Sequence, residues 1–126
     1  MIVGLGVDLF DVTRMRAELS RHGADLGHLF TPAEIAECLG LRRPDAEFAA
    51  RFAAKEAVVK ALGDHGHGGP CWPQIEIHAS VRGHRAVTLR GRTRARARAL
   101  GVTRIHLCTA HATGVAVASA VLEATS

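Results

Sequence analysis

The chain has no tyrosine, one tryptophan and four phenylalanines in 126 residues. So sparse an aromatic set argues against a single-stranded nucleic-acid platform, which stacks bases on successive rings. No apolar run approaches the ~18 residues of a membrane-spanning helix. The opening MIVGLGVDLF has no basic segment and meets an acid at Asp8, so it does not read as a secretory signal. The three cysteines, Cys38, Cys71 and Cys108, are odd in number and far apart, and neither Cys-x-x-Cys nor His-x-x-x-His occurs. That spacing removes both a disulfide framework and a structural zinc site. The expectation is a cytoplasmic protein with reduced thiols. Repeats and low-complexity tracts are absent, as is the Lys-Ser/Thr ending of a Walker loop.

The residues that are present describe a globular domain. Hydrophobic residues make up 48% and charged residues 22%. The length fits one domain over 1–126, able to bury roughly two-thirds of its unfolded surface. Sixteen Lys and Arg against twelve Asp and Glu give a net charge of +4, mostly from arginine. Such a surplus suits an acidic partner or a phosphate-bearing ligand.

Hydrophobic periodicity predicts the elements. Residues 2–10 alternate as a strand, with Val3, Leu5, Val7 and Leu9 on one face and Gly4, Gly6, Asp8 and Phe10 on the other. Two glycines beside an acid imply that something approaches the backbone closely there. Asp11 is placed to cap a short basic helix over about 12–23, ending at Gly23. Thr31-Pro32-Ala33-Glu34 has the form of a capping box with proline at the first helical position, opening a helix that ends near Gly40. Residues 46–62 are alanine-rich and unbroken, with Phe48, Phe52, Val59 and Leu62 at helical spacing. A Gly/His loop follows at 63–70. Residues 74–81 and 86–89 read as a hairpin about Arg82-Gly83-His84. Residues 92–100 fit either a strand or a helix, and a helix is favoured. Two strands, 105–110 and 115–122, close the chain. The order is β-α-α-α-β-β-α-β-β, an α+β domain with a mainly antiparallel sheet packed on helices.

Several groups could carry chemistry. Asp8 is either a solvated turn residue or a polar group with a purpose on the glycine face. Glu56 and Lys60 are either an exposed i, i+4 pair or a carboxylate and an ammonium presented together. With Asp8 they would suit Mg²⁺ on a diphosphate, since that ion takes one or two carboxylates plus water and phosphate oxygens. The glycines of 63–69 could bring backbone N–H groups to phosphate or simply form a linker. The arginines at 90, 92, 94, 96 and 98 read as a solvated helix face, with nucleic-acid binding as the sharper option. Cys108 reads as a small buried packing residue.

Taken together, these residues resemble the holo-(acyl-carrier-protein) synthases, the small 4′-phosphopantetheinyl transferases. The matching segments are Gly4-Leu5-Gly6-Val7-Asp8-Leu9 with Asp11 and Arg14, then Phe30-Thr31-Pro32-Ala33-Glu34. Arg51-Phe52-Ala53-Ala54-Lys55-Glu56-Ala57-Val58-Val59-Lys60-Ala61-Leu62-Gly63 is the most specific block. Trp72, Ile75-Glu76-Ile77, Gly83, Val87-x-Leu89-x-Gly91 and the late His111 also fit, so the likeness covers essentially the whole chain.

The resemblance implies Mg²⁺-dependent transfer of the 4′-phosphopantetheine arm of coenzyme A to a serine of an acidic apo acyl carrier protein. Adenosine 3′,5′-bisphosphate would leave, and the setting would be fatty acid and lipid synthesis. Asp8 and Glu56 stand at the family's metal positions and Lys60 at its phosphate lysine. Arg42 and Arg43 fall near the 3′-phosphate of the cofactor. Arg51, Phe52, Lys55 and Gly63 belong to the cofactor-facing block. Arg14 and Arg21 match positions that dock the carrier's acidic helix. The base for the serine would be Glu56 or a metal-bound water, with His111 behind them. Chains of this length in the family are homotrimers with sites between protomers; neither a nucleic acid nor a membrane partner is implied. Two segments depart from the family pattern. Cys108-Thr109-Ala110-His111-Ala112 lacks the usual polar side chains beside the histidine, and the 63–70 loop carries His65 and His67 where the family prefers Gly-x-Gly-hydrophobic-Gly.

Overall fold

The computed structural model describes residues 1–22, 25–63 and 69–125. The first strand, β1 (Ile2–Asp11), runs directly into α1 (Val12–His22). Asp11 makes that junction, its Oδ1 accepting the Thr13 and Arg14 N–H groups at 2.7 and 3.1 Å. The capping box at Thr31 opens α2 (Pro32–Leu39): Thr31 Oγ1 accepts the Glu34 N–H, and Glu34 Oε1 accepts the Thr31 N–H. The long helix α3 (Pro44–Leu62) begins two residues before its expected start because Pro44 supplies a ready first-turn φ. It ends on Gly63, whose φ of 64° is left-handed and calls for glycine.

The rest of the chain is β2 (Ile75–Ile77), β3 (His84–Arg85), β4 (Val87–Leu89), α4 (Gly91–Ala99), β5 (Arg104–Ala112) and β6 (Val115–Glu123). One antiparallel sheet has the order β1-β6-β5-β3, and β2 pairs with β4 in a second. The ambiguous 92–100 segment is a helix, as expected.

The expected hairpin forms: β2 pairs antiparallel with β4, Ile75 opposite Leu89 and Ile77 opposite Val87, and Val81 bridges His84 at the Arg82-Gly83 turn, where φ is 54° and 84°. The sequence did not indicate that His84 and Arg85, just before the returning strand, form β3 and pair with β5 of the large sheet. Arg85 anchors them there. Its buried guanidinium donates to both oxygens of Glu47, at 2.7 and 2.9 Å, and to Thr109 Oγ1 at 2.9 Å. These bonds draw β3 onto the large sheet. One expectation fails: Cys108 is exposed rather than buried; it lies opposite Ser119 and His84 on the sheet's outer face. Gly23, His65 and His67 fall outside the described residues.

Helix α3 packs across β1 and β6 and is buried on nearly every side: Phe48, Ala49, Ala53, Ala54, Ala57 and Val58 are all inaccessible. Its alanines let the backbone come close to the sheet. A Cβ on Gly6 would overlap the Ala57 carbonyl oxygen, and one on Gly4 would overlap that of Ala61. The two glycines thus record the close approach of a helix. In turn, the opposite face of β1 is open, with Leu5, Val7 and Leu9 each more than half exposed.

Charged groups under the helices are paired. Lys55 and Glu34 have no solvent exposure and meet at 2.8 Å. Burial, with the nearby Arg51 charge, pulls the Lys55 ammonium below its ordinary range, while the Glu34 and Glu76 carboxylates oppose that. Glu47 receives Arg51 Nε at 2.8 Å as well as Arg85. Burial pushes its carboxyl up, but the two guanidinium bonds outweigh this and hold it below its ordinary 4.5. A carboxyl depressed by folding stabilises the protein above its unfolded pKa and loses that contribution as pH falls through the folded value. Glu47→Gln should therefore cost roughly 3 kcal/mol at pH 7, since it strips charge from two buried arginines. The deficit in Tm should narrow as pH falls below 4.5. Thermal melts of both proteins across that range check this; a deficit independent of pH contradicts it.

Candidate active site

Asp8 sits on the inner face of β1, opposite Ala118, where a small neighbour leaves room beside α3. Two turns of that helix present Glu56 and, four residues on, Lys60. Lys60 Nζ donates to Asp8 Oδ1 at 2.7 Å and to the Val7 carbonyl at 3.1 Å. Asp8 Oδ2 is buried and has no hydrogen-bond partner. Glu56 lies against Asp8. Burial raises its carboxyl first, and the adjacent Asp8 carboxylate raises it further, from 4.5 to about 7; Lys60 and Arg14 pull the other way. Lys60 is raised by its bond to Asp8. A pocket of about 240 Å³ opens here, lined by Asp8, Glu56, Val59, Lys60 and Trp72.

Two carboxylates pressed together, one with an orphaned buried oxygen, form a donor set that could take a cation besides the Lys60 ammonium already on Asp8. Among the described residues no group of three or more His, Cys, Asp or Glu is placed to hold a metal. The pair therefore supplies two oxygen ligands and leaves the others to water or phosphate. That donor set fits Mg²⁺, which retains several waters and favours substrate phosphates over an all-protein cage.

The other expected site residues divide into three groups. Arg14 and Phe52 lie beside the pocket. The Arg14 guanidinium stands 5.1 Å from the Phe10 ring centre and bears on the charge of Glu56. Phe52 packs at 5.1 Å against Phe10 and at 4.9 Å against Trp72. Gly63 ends α3 just beyond Lys60. Arg21 lies two turns beyond Arg14 on α1 and pairs with Glu18 at 3.1 Å.

A second group is remote within the chain. Arg42 and Arg43 are exposed between α2 and α3, and Arg43 approaches Asp45 at 3.5 Å. Thirteen residues of α3 separate Arg43 from Glu56, about 20 Å of helical rise. His111 is exposed on β5, level with Ala116 and Phe10; two strand spacings put it about 10 Å to the side of β1.

The third group is internal. Arg51 and Lys55, expected to face the cofactor, are 1% and 0% exposed. Lys55 Nζ spends its three donors on Glu34 Oε1, Trp72 O and Ile75 O, at 2.8, 3.0 and 2.6 Å. Arg51 binds Glu37, Glu47 and the Ile77 carbonyl. Neither touches the pocket, because the 3.6-residue period turns both to the side of α3 facing α2 and β2.

The sequence did not single out the apolar wall of the pocket formed by Trp72 and Val59. The signal was there: the only tryptophan of an aromatic-poor chain, immediately after a glycine loop.

Comparison with known proteins places the whole chain in one family. Residues 4–117 match the family described as the 4′-phosphopantetheinyl transferase superfamily. A holo-(acyl-carrier-protein) synthase of Moorella thermoacetica is 45% identical over 118 residues, covering 94% of this chain and 91% of that protein. Among solved structures, the holo-(acyl-carrier-protein) synthase of Neisseria meningitidis superposes with a TM-score of 0.83 at 28% identity, covering 98% and 99% of the two chains. That of Bacillus anthracis, in complex with CoA (3′,5′-ADP), gives 0.76 at 29% identity, with 99% of each chain covered. With its paired carboxylates, adjoining lysine and antiparallel α+β fold, the chain belongs to the 4′-phosphopantetheinyl transferase superfamily.

Proposed function

We propose that this chain transfers the 4′-phosphopantetheine arm of coenzyme A to a serine hydroxyl of an apo acyl carrier protein, with Mg²⁺ as the metal and adenosine 3′,5′-bisphosphate as the other product. The observation that carries the reading is the Asp8–Glu56 pair, with its unpartnered Oδ2 and Lys60 at 2.7 Å. Mg²⁺, held by Asp8 and Glu56, would neutralise charge on the diphosphate.

The protein's own part is positioning and charge balance, which supply most of the rate in phosphoryl-type transfer. The serine oxygen forms a bond to the phosphorus bearing the pantetheine arm as the bond to the bridging oxygen breaks. Lys60, 55% exposed and anchored by Asp8, meets the phosphates. Glu56, on the pocket wall beside the reacting end, is placed to accept the serine proton directly or through a bound water. Arg14, on the rim, faces the acidic carrier, and Arg21 extends the basic face of α1.

The assembly is a homotrimer with each site shared between protomers. Two observations support it. The outer sheet face exposes Leu5, Val7, Leu9 and Val115, an apolar area that one chain leaves open. Arg42 and Arg43 also lie too far from Glu56 to meet the same nucleotide within one chain, so a neighbour's pair would have to reach it. Val7→Glu on that face should yield monomers and lower transfer by at least about tenfold; a desolvated charge there opposes association. Sedimentation velocity reads the first effect. A variant that keeps the wild-type assembly contradicts this interface.

The function itself is tested by incubating the protein with coenzyme A, Mg²⁺ and apo acyl carrier protein. Intact-protein mass spectrometry should show the carrier gaining one phosphopantetheine as adenosine 3′,5′-bisphosphate appears. Coenzyme A binding without any mass gain on a panel of apo carriers would leave a binding protein and not a transferase. The apolar neighbours of His111, Ala110 and Ala112, make that the second reading.

A further inference from the structure

Lys55 has an unusual position for a residue in the block that supplies the site. It lies one residue before Glu56, yet it is inaccessible to solvent. Its ammonium donates to the carbonyls of Trp72 and Ile75, at 3.0 and 2.6 Å. Those carbonyls sit at the two ends of the single 3-10 turn Trp72–Gln74. The third donor goes to Glu34, whose own oxygens also accept the Thr31 and Ile77 N–H groups. One buried cation therefore ties α2, α3 and the start of β2 to the turn that carries Trp72.

The Trp72 ring packs at 4.9 Å on Phe52 and forms a wall of the pocket that holds Asp8, Glu56 and Lys60. The 69–71 stretch before the turn is exposed. Among the described residues the ring packs on Phe52, and its turn is held from inside by Lys55 and from the start of α4 by the Arg90 N–H and Thr93 Oγ1, which donate to the Gln74 carbonyl at 2.9 and 3.3 Å.

We propose that Lys55 is a positioning residue: by holding both ends of the Trp72–Gln74 turn from inside the fold, it sets the Trp72 ring as the wall against which the co-substrate lies, beside a pocket that Lys55 never touches. This deepens the transferase reading and rests on it for its kinetic consequence. The wall holds coenzyme A alike before and during reaction, so its loss is read in KM.

The chain offers a direct probe, because Trp72 is its only tryptophan and it has no tyrosine. The test uses full-length Lys55→Met, the double variant Glu34→Gln with Lys55→Met, Trp72→Ala, and the combination of Lys55→Met with Trp72→Ala. The double variant removes both buried charges and guards against misfolding from an unpaired Glu34. In the folded lysine variants Trp72 emission should shift to the red, and its quenching by acrylamide should rise about twofold or more. The KM for coenzyme A should rise about tenfold, with kcat within about threefold of the unmodified protein. Lys55→Met added to Trp72→Ala should cost no more than about twofold further, since residues acting through one another are not additive.

Wild-type emission in a folded lysine variant overturns the proposal, as do kinetic losses that multiply across the pair. Failure of both lysine variants to fold also overturns it, since Lys55 would then serve the fold and not the wall. The emission arm needs no turnover. If the unmodified protein shows no transfer, the proposed function fails while emission and quenching still decide the position of Trp72.

Discussion

Asp8→Asn is expected to lower phosphopantetheine transfer by about 10³-fold while leaving the protein folded. The substitution keeps shape and volume but removes the charge that faces Glu56 and holds Lys60 at 2.7 Å. A divalent ion at a diphosphate contributes several kcal/mol of charge stabilisation, and about 4 kcal/mol corresponds to three decades of rate. The variant should also lose its response to Mg²⁺: raising the metal well above the wild-type requirement should restore little. The folded state should not suffer, because the substitution relieves the carboxylate pressure that raises Glu56 to about 7. Mass-spectrometric progress curves at several Mg²⁺ concentrations, with thermal melts alongside, give the answer. Near-normal turnover at limiting Mg²⁺ would sink the metal assignment and with it the proposed chemistry.

Gly6→Ala should be the most damaging single methyl group in the chain. The added Cβ would overlap the carbonyl oxygen of Ala57 and crowd the Ala61 nitrogen. Both are backbone atoms of a rigid helix, so no side chain can swing aside. Either β1 or α3 must move, at roughly 3 kcal/mol, which lowers Tm by about 10 °C for a chain of this size. The displacement would reach the site as well. Ala57 adjoins Glu56, and Gly6 lies two residues before Asp8, so the spacing that lets Asp8 meet Lys60 would widen. Transfer should fall more than about tenfold at temperatures where the variant is still folded. Gly27→Ala is the control, because a Cβ there meets nothing within 4 Å. If Gly6→Ala melts within about 2 °C of the control, the close helix–strand approach does not constrain the fold as described.

Much of the architecture could be read from local chemistry. The Thr31–Glu34 capping box, the alanine-rich α3, the Asp11 cap and the closing β5–β6 pair all form as the residue pattern implied, because each depends on neighbours close in the chain. The glycine face of β1 was also legible as a place of close approach, although the sequence did not name α3 as the element that approaches. The pairing of His84 and Arg85 with the large sheet was not legible. Its cause, Arg85 binding Glu47 across 38 positions, leaves no local trace. Alternation likewise marked Cys108 as lying on one face of a strand without saying that this face is open.

The site shows the same division. Asp8, Glu56 and Lys60 could be named because their residue types match the needs of a metal-bound diphosphate and their block is specific. The i, i+4 spacing fixed Glu56 and Lys60 on one helix face by geometry alone. Their meeting with Asp8, 48 and 52 positions earlier, was decided by the packing of α3 on the glycines of β1. Tertiary structure also decided which members of the motif face the pocket. Lys55 and Glu56 are adjacent in the chain, but a helix turns about 100° per residue. One carboxylate is therefore delivered to the pocket and one ammonium to the interior, where only the packed fold supplies the carbonyls and the Glu34 carboxylate that a buried cation requires.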